Sequence, residues 1–166
     1  MAIDLNELVK YLAFNEGLRT RRYYDSRGFP TVGVGFNLAR PGAKAAIEAA
    51  GADFDRIKSG KDGLTQNQVT ALLASDARAA IDAAQSLFPD FDNYDPARQL
   101  ILADLAFNLG EAKLETFKRF ISAVKSGDWV DAAAALRKSR WFAQVGKRAL
   151  RNVEALRTGV PPSVTL

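Results

Sequence analysis

The chain has 166 residues, 48% of them hydrophobic and 25% charged, with a formal net charge of +4. That suffices for a globular domain with a sizeable buried core. It contains neither cysteine nor histidine, which excludes disulfides and thiol chemistry and leaves acid–base work to carboxylates.

No apolar run approaches the ~20 residues of a membrane span, so no stable membrane association is expected. The opening "MAIDLNELVKYL" has neither the basic nor the apolar region of a secretory signal, which predicts a protein made and kept in a cytoplasm. The charge is uneven. Arg137, Lys138, Arg140, Lys147, Arg148, Arg151 and Arg157 stand against Glu154 alone, and Arg19, Arg21, Arg22 and Arg27 against Asp25. Such concentration favours a polyanionic partner. Nucleic acid is disfavoured, because no known binding motif appears and aromatics are not interleaved with the C-terminal cluster.

In chain order, Asp4 is placed to cap a first helix, with Glu7 as its capping-box partner. Leu5, Leu8, Val9 and Leu12 form its apolar stripe, and Gly17 suits its end. From Tyr23 to about Val34 the pattern turns β-like around Ser26-Arg27-Gly28. A short helix is predicted after Pro41, closing at Gly51, and 59–63 reads as a loop. Thr65, with Gln68 as its N3 partner, opens a long helix to Leu87. Asp95-Pro96 starts an apolar helix over 97–109, stopped at Gly110. Shorter helices are predicted near 116–125, 129–138 and 147–158. Trp129 and Trp141 read best as core anchors.

The predicted architecture is mainly helical α+β in two lobes. Residues 15–65 form a small lobe whose β-hairpin walls a cleft, 65–87 a connecting helix, and 1–14 with 88–166 a larger helical lobe. A site whose only acid–base groups are carboxylates points to glycoside hydrolysis. Glu16 lies in the last turn of its helix, where the negative end of the dipole opposes ionisation and suits it to donate a proton. Asp25 lies beside a turn in a more solvated setting, where ionisation is easy. Thr31 offers a hydroxyl across the hairpin that can hold a water. Each signal is weak alone, since such residues commonly cap turns or fill strands.

Together, Glu16, Asp25 and Thr31 within "NEGLRTRRYYDSRGFPTVGVG" resemble the Glu–Asp–Thr signature of bacteriophage-type lysozymes, the T-even phage lysozyme family. The likeness continues in "FNLGEAKLETF" and "KSRWFAQVGKRALRNVEALRTG". The resemblance implies a two-lobed, inverting muramidase without cofactor or metal, acting as a monomer on the β-1,4 bond between N-acetylmuramic acid and N-acetylglucosamine. In it Glu16 is the general acid, Asp25 holds or activates water, and Thr31 positions that water. Inversion implies carboxyl groups about 6.5–9.5 Å apart. Arg148 matches an arginine that pairs with the catalytic glutamate, while Phe107 and Asn37 fall at substrate-contact positions. Phe36 replaces a family histidine, and Phe120 and Ala135 replace polar substrate contacts.

The implied role is a phage or prophage endolysin, released to the wall by a holin-type protein, with the basic C-terminal face drawn to acidic peptidoglycan. Alternatives are a wall-binding structural module without turnover, a lytic transglycosylase, and a nucleic-acid binder.

Overall fold

A computed structural model describes residues 3–164. The chain divides into two compact units, Val9–Asp76 and a second made of the residues up to Leu8 together with those from Ala77 onward. The division falls inside two helices, α1 (Leu5–Glu16) and α4 (Gln66–Leu87).

Helix α1, whose residues from Val9 onward belong to the smaller unit, is capped by Asp4, whose carboxylate accepts the Asn6 N–H at 2.8 Å. Leu8, Tyr11 and Leu12 are its buried side chains. Gly17, at φ 73°, takes the left-handed conformation that ends the helix immediately after Glu16. The chain then enters β1 (Arg19–Tyr24), β2 (Pro30–Gly33) and β3 (Phe36–Asn37), an antiparallel sheet in the order β1-β2-β3. The expected hairpin thus starts earlier, and a third strand of two residues joins it. Gly33 and Gly35 made that strand hard to see, since they interrupt the alternating pattern.

Two short helices follow, α2 (Ala43–Ala49) and α3 (Phe54–Lys58). The second is absent from the sequence reading, because five largely charged residues show no helical period. Its cue was Asp53, whose side chain accepts the Arg56 N–H at 3.0 Å. Val32, Phe36, Leu38, Ile47, Ile57 and Val69 are buried in this unit. A Cβ on Gly33 would lie 3.4 Å from Val69, so β2 approaches α4 closely. The capping box at α4 forms as expected: Thr65 N–H donates to Gln68 Oε1 at 2.9 Å and Gln68 N–H to Thr65 Oγ1 at 3.1 Å.

The larger unit is built around α5 (Pro96–Leu109), capped by Asp95 with Pro96 in its first turn and buried along Gln99–Ala106. After it come α6 (Glu111–Leu114), α7 (Lys118–Lys125), α8 (Trp129–Arg137), α9 (Arg140–Val145) and α10 (Lys147–Thr158). Helix α10 packs against α8 and α5, and α7 against α8. Arg98 closes the far end of α10 by donating to the Leu156 carbonyl at 3.0 Å. Trp141 is 3% exposed, and its indole N–H donates to Asn108 at 2.6 Å. Trp129 is half-buried, edge-on to Tyr94 at 4.9 Å with the Arg98 guanidinium over its ring.

Candidate active site

The smaller unit carries Glu16, Asp25, Thr31 and Asn37; the larger carries Phe107 and Arg148. Glu16 is the last residue of α1 and half-buried. Its helix has no basic residue in the final turn, so nothing on α1 itself offsets the dipole's negative end there.

Asp25 occupies the β1–β2 turn and builds it. Its Oδ1 accepts the backbone N–H groups of Arg27 and Phe29, both at 2.9 Å, while its own N–H donates to the Phe29 carbonyl at 3.0 Å. One carboxylate oxygen is therefore committed to the fold, and the turn's bonds leave Oδ2 out. Thr31 is 2% exposed, and its hydroxyl donates to that same Phe29 carbonyl at 2.9 Å. With its hydrogen used there, Thr31 faces any further partner as an acceptor. Phe29 thus brackets the two side chains the sequence singled out.

The register adds a second relation. Tyr23 on β1 and Asn37 on β3 are both direct partners of Thr31 on β2. Opposed residues of an antiparallel sheet share a face, so Tyr23, Thr31 and Asn37 form one row, and Asp25 follows Tyr23 at the same parity. Asn37 also accepts the Ala39 N–H at 2.8 Å, which shapes the chain leaving the sheet. The spacing of Glu16, Asp25 and Thr31 in the sequence does not single out Tyr23. The signal that finds it is strand alternation read backwards from Asp25.

Because Asp25 builds the turn and is also a candidate for the chemistry, two substitutions separate the two roles. Asp25→Asn retains the Oδ1 acceptor and is expected to melt within about 2 °C of the parent. Asp25→Ala orphans two backbone donors at an exposed turn, expected to cost about 1 kcal/mol. Thermal denaturation followed by circular dichroism distinguishes them; equal melting temperatures would contradict the turn role.

In the larger unit, Phe107 is half-buried near the end of α5. Arg148 is 7% exposed and grips Asp104, which is fully buried: Nη2 lies 2.6 Å from Oδ1 and Nε 3.3 Å from Oδ2. Asn152 donates to Oδ2 at 2.7 Å. The basic C-terminal cluster is therefore less of a surface than its sequence implied. Arg148 is interior, Arg151 is half-buried, and Arg157 is exposed but paired with Glu154, so Arg137, Lys138, Arg140 and Lys147 are its other exposed members. Phe120, 1% exposed, and Ala135 line a cavity of about 580 Å³ rimmed by Lys113, Lys118, Lys138 and Arg140. Phe120 also packs edge-on against Phe88 at 6.4 Å. Among the described residues, no group of three or more His, Asp, Glu or Cys side chains is placed to hold a metal, and no helix is long and apolar enough to cross a membrane.

A mainly helical α+β protein, with one carboxylate at a helix end and another in the turn of a small antiparallel sheet, has a lysozyme-like fold. The family model for phage lysozyme matches residues 13–157, and the chain belongs to that family. It is 26% identical to probable T4-type lysozyme 2 of Dictyostelium discoideum over 96% of both chains. It is 27% identical to the pre-baseplate central spike protein Gp5 of Enterobacteria phage T4 over 92% of this chain, though it spans 28% of that protein. With the peptidoglycan hydrolase gp36 of Pseudomonas phage phiKMV it shares 28% identity over 84% of this chain and 14% of that protein.

Proposed function

We propose that this protein is an inverting muramidase that cleaves the β-1,4 bond between N-acetylmuramic acid and N-acetylglucosamine in peptidoglycan. The observation that carries the reading is the construction around Phe29, whose N–H is accepted by Asp25 Oδ1 and whose carbonyl takes the Thr31 hydroxyl hydrogen, so that the turn engages neither Asp25 Oδ2 nor the Thr31 lone pairs. A water meeting those two oxygens donates a hydrogen to each and turns its lone pairs outward. Glu16 donates its proton to the glycosidic oxygen as the bond to C1 breaks. The water oxygen attacks C1 from the opposite face and yields its proton to Asp25. Asn37 and Phe107 contact the sugar chain, and no metal or cofactor enters any step.

Mass spectrometry of muropeptides released from purified peptidoglycan tests this directly. Hydrolysis leaves reducing ends carrying one added water, whereas a transglycosylase leaves anhydro ends lighter by that water. The first-formed anomer, read by NMR, is expected to be α. A β product would overturn inversion, and anhydro products would overturn hydrolysis.

The biological setting that fits is a phage or prophage endolysin acting as a monomer, reaching the wall through a holin-type protein. Arg137, Lys138, Arg140 and Lys147 then meet the carboxylates of the wall peptides. Raising ionic strength from ~0.01 M to ~0.15 M shortens the screening length from about 30 Å to about 8 Å, so sedimentation with purified walls is expected to show weaker binding. Binding unchanged across that range would remove electrostatics from wall recruitment. The likeness to a phage spike protein also supports a second setting, a lysozyme module within a larger particle. The wall chemistry is the same in both.

A further inference from the structure

Tyr23 lies at the meeting point of the groups just described, and no step yet uses it. It is the direct partner of Thr31 across β1 and β2, which puts the two Cβ atoms about 4.5–5.5 Å apart on one face. Its ring is covered by the Arg19 guanidinium, 4.5 Å from the centroid. Burial pushes the phenol's pKa up, while a backbone hydrogen bond with Gly35 and the Arg19 charge pull it down and the charges of Glu16 and Asp25 raise it again. The net direction is upward, so the phenol keeps its hydrogen through neutral pH. The charges of both carboxylates thus reach the phenol. With Gly35 at the phenol oxygen and Arg19 on the ring, the side chain has little freedom.

We propose that Tyr23 is a positioning residue of this site, its O–H donating to the oxygen of the water that Asp25 and Thr31 hold. The water then has a complete shell. One hydrogen goes to Asp25 Oδ2 and one to Thr31 Oγ1, one lone pair accepts from Tyr23, and the other points at C1. Asp25 and Thr31 alone leave the water free to turn about the line between them, and the phenol removes that freedom. The inference rests on the water-activating role given to Asp25.

Tyr23→Phe keeps the ring, the burial and the Arg19 stack and removes only the hydroxyl. On solubilised peptidoglycan it is expected to lower kcat by about tenfold to a hundredfold, the scale of a misplaced reactant, with KM within twofold. A wild-type kcat, or a change confined to KM, overturns the proposal. Should the variant melt well below the parent, fluorotyrosine at position 23 preserves the shape while making the phenol more acidic. Because the fluorinated phenol still donates its hydrogen, kcat is then expected to stay close to the parent while Tyr23→Phe stays low; a loss equal to that of Tyr23→Phe also overturns it. Glu16→Gln and Asp25→Asn assayed alongside separate the two layers. If either retains full activity, the underlying site assignment fails, whereas their inactivity beside a fully active Tyr23→Phe defeats the role of Tyr23 alone.

Discussion

Glu16→Gln is expected to slow peptidoglycan hydrolysis by about a thousandfold, within the 10²–10⁴-fold range of a lost general acid, while the protein stays folded. The amide matches the carboxyl in volume, so packing at the end of α1 is preserved. What disappears is the one hydrogen that can pass to the leaving oxygen. Gly17 terminates α1 directly after Glu16, and its N–H donates to the Ala13 carbonyl at 3.0 Å. Melting within about 2 °C of the parent is expected, as for a surface exchange without a change of shape. Turbidity loss of outer-membrane-permeabilised cells and release of soluble muropeptides both check the rate. Clearance at the wild-type rate would remove Glu16 from the acid role and with it the proposed mechanism. Asp25→Asn is expected to be comparably inactive, because the amide nitrogen that replaces Oδ2 cannot take a proton from water.

The largest stability effect is expected at a residue with no assigned part in the chemistry. Asp104→Ala should destabilise the protein by about 3–5 kcal/mol, the cost of removing one partner from a buried ion pair. Asp104 is fully buried in the middle of α5 and receives three donor atoms, Nε and Nη2 of Arg148 and Nδ2 of Asn152. Alanine leaves the Arg148 guanidinium, itself 7% exposed, deprived of this carboxylate. A fall in melting temperature of roughly 10 °C follows for a chain of this size. Asp104→Asn keeps one acceptor oxygen and should recover part of the loss. If Asp104→Ala melts within about 2 °C of the parent, the network contributes little to folding. Because Arg148 is held by Asp104, the same variant is expected to lose activity beyond what its unfolded fraction explains.

Much of the fold was readable before any coordinates. The capping box at Thr65 and Gln68, the Asp95-Pro96 start, and the positions of Gly17, Gly110, Gly127, Gly146 and Gly159 are local signals, and each marks a boundary where expected. They work because caps and left-handed residues act within a few positions of themselves. The elements that escaped, β3, α3, α6 and α9, are two to six residues long. That is too short for a period of 2 or 3.6 to register above composition. The Arg137–Arg157 cluster misled for a related reason, since a charge count along the chain does not say which charges fold inward.

By itself the sequence determined the candidate chemistry. With no histidine and no cysteine, acid–base work falls to carboxylates, and the ordered spacing of Glu16, Asp25 and Thr31 assigns the chain its likeness. Tertiary structure alone decided how those residues are held. It committed one oxygen of Asp25 to a turn, bracketed it to Thr31 through Phe29, set Tyr23 opposite Thr31, and buried Asp104 under Arg148. Each is a relation between strands or helices whose register comes from packing a whole face, so no local stretch of residues encodes it.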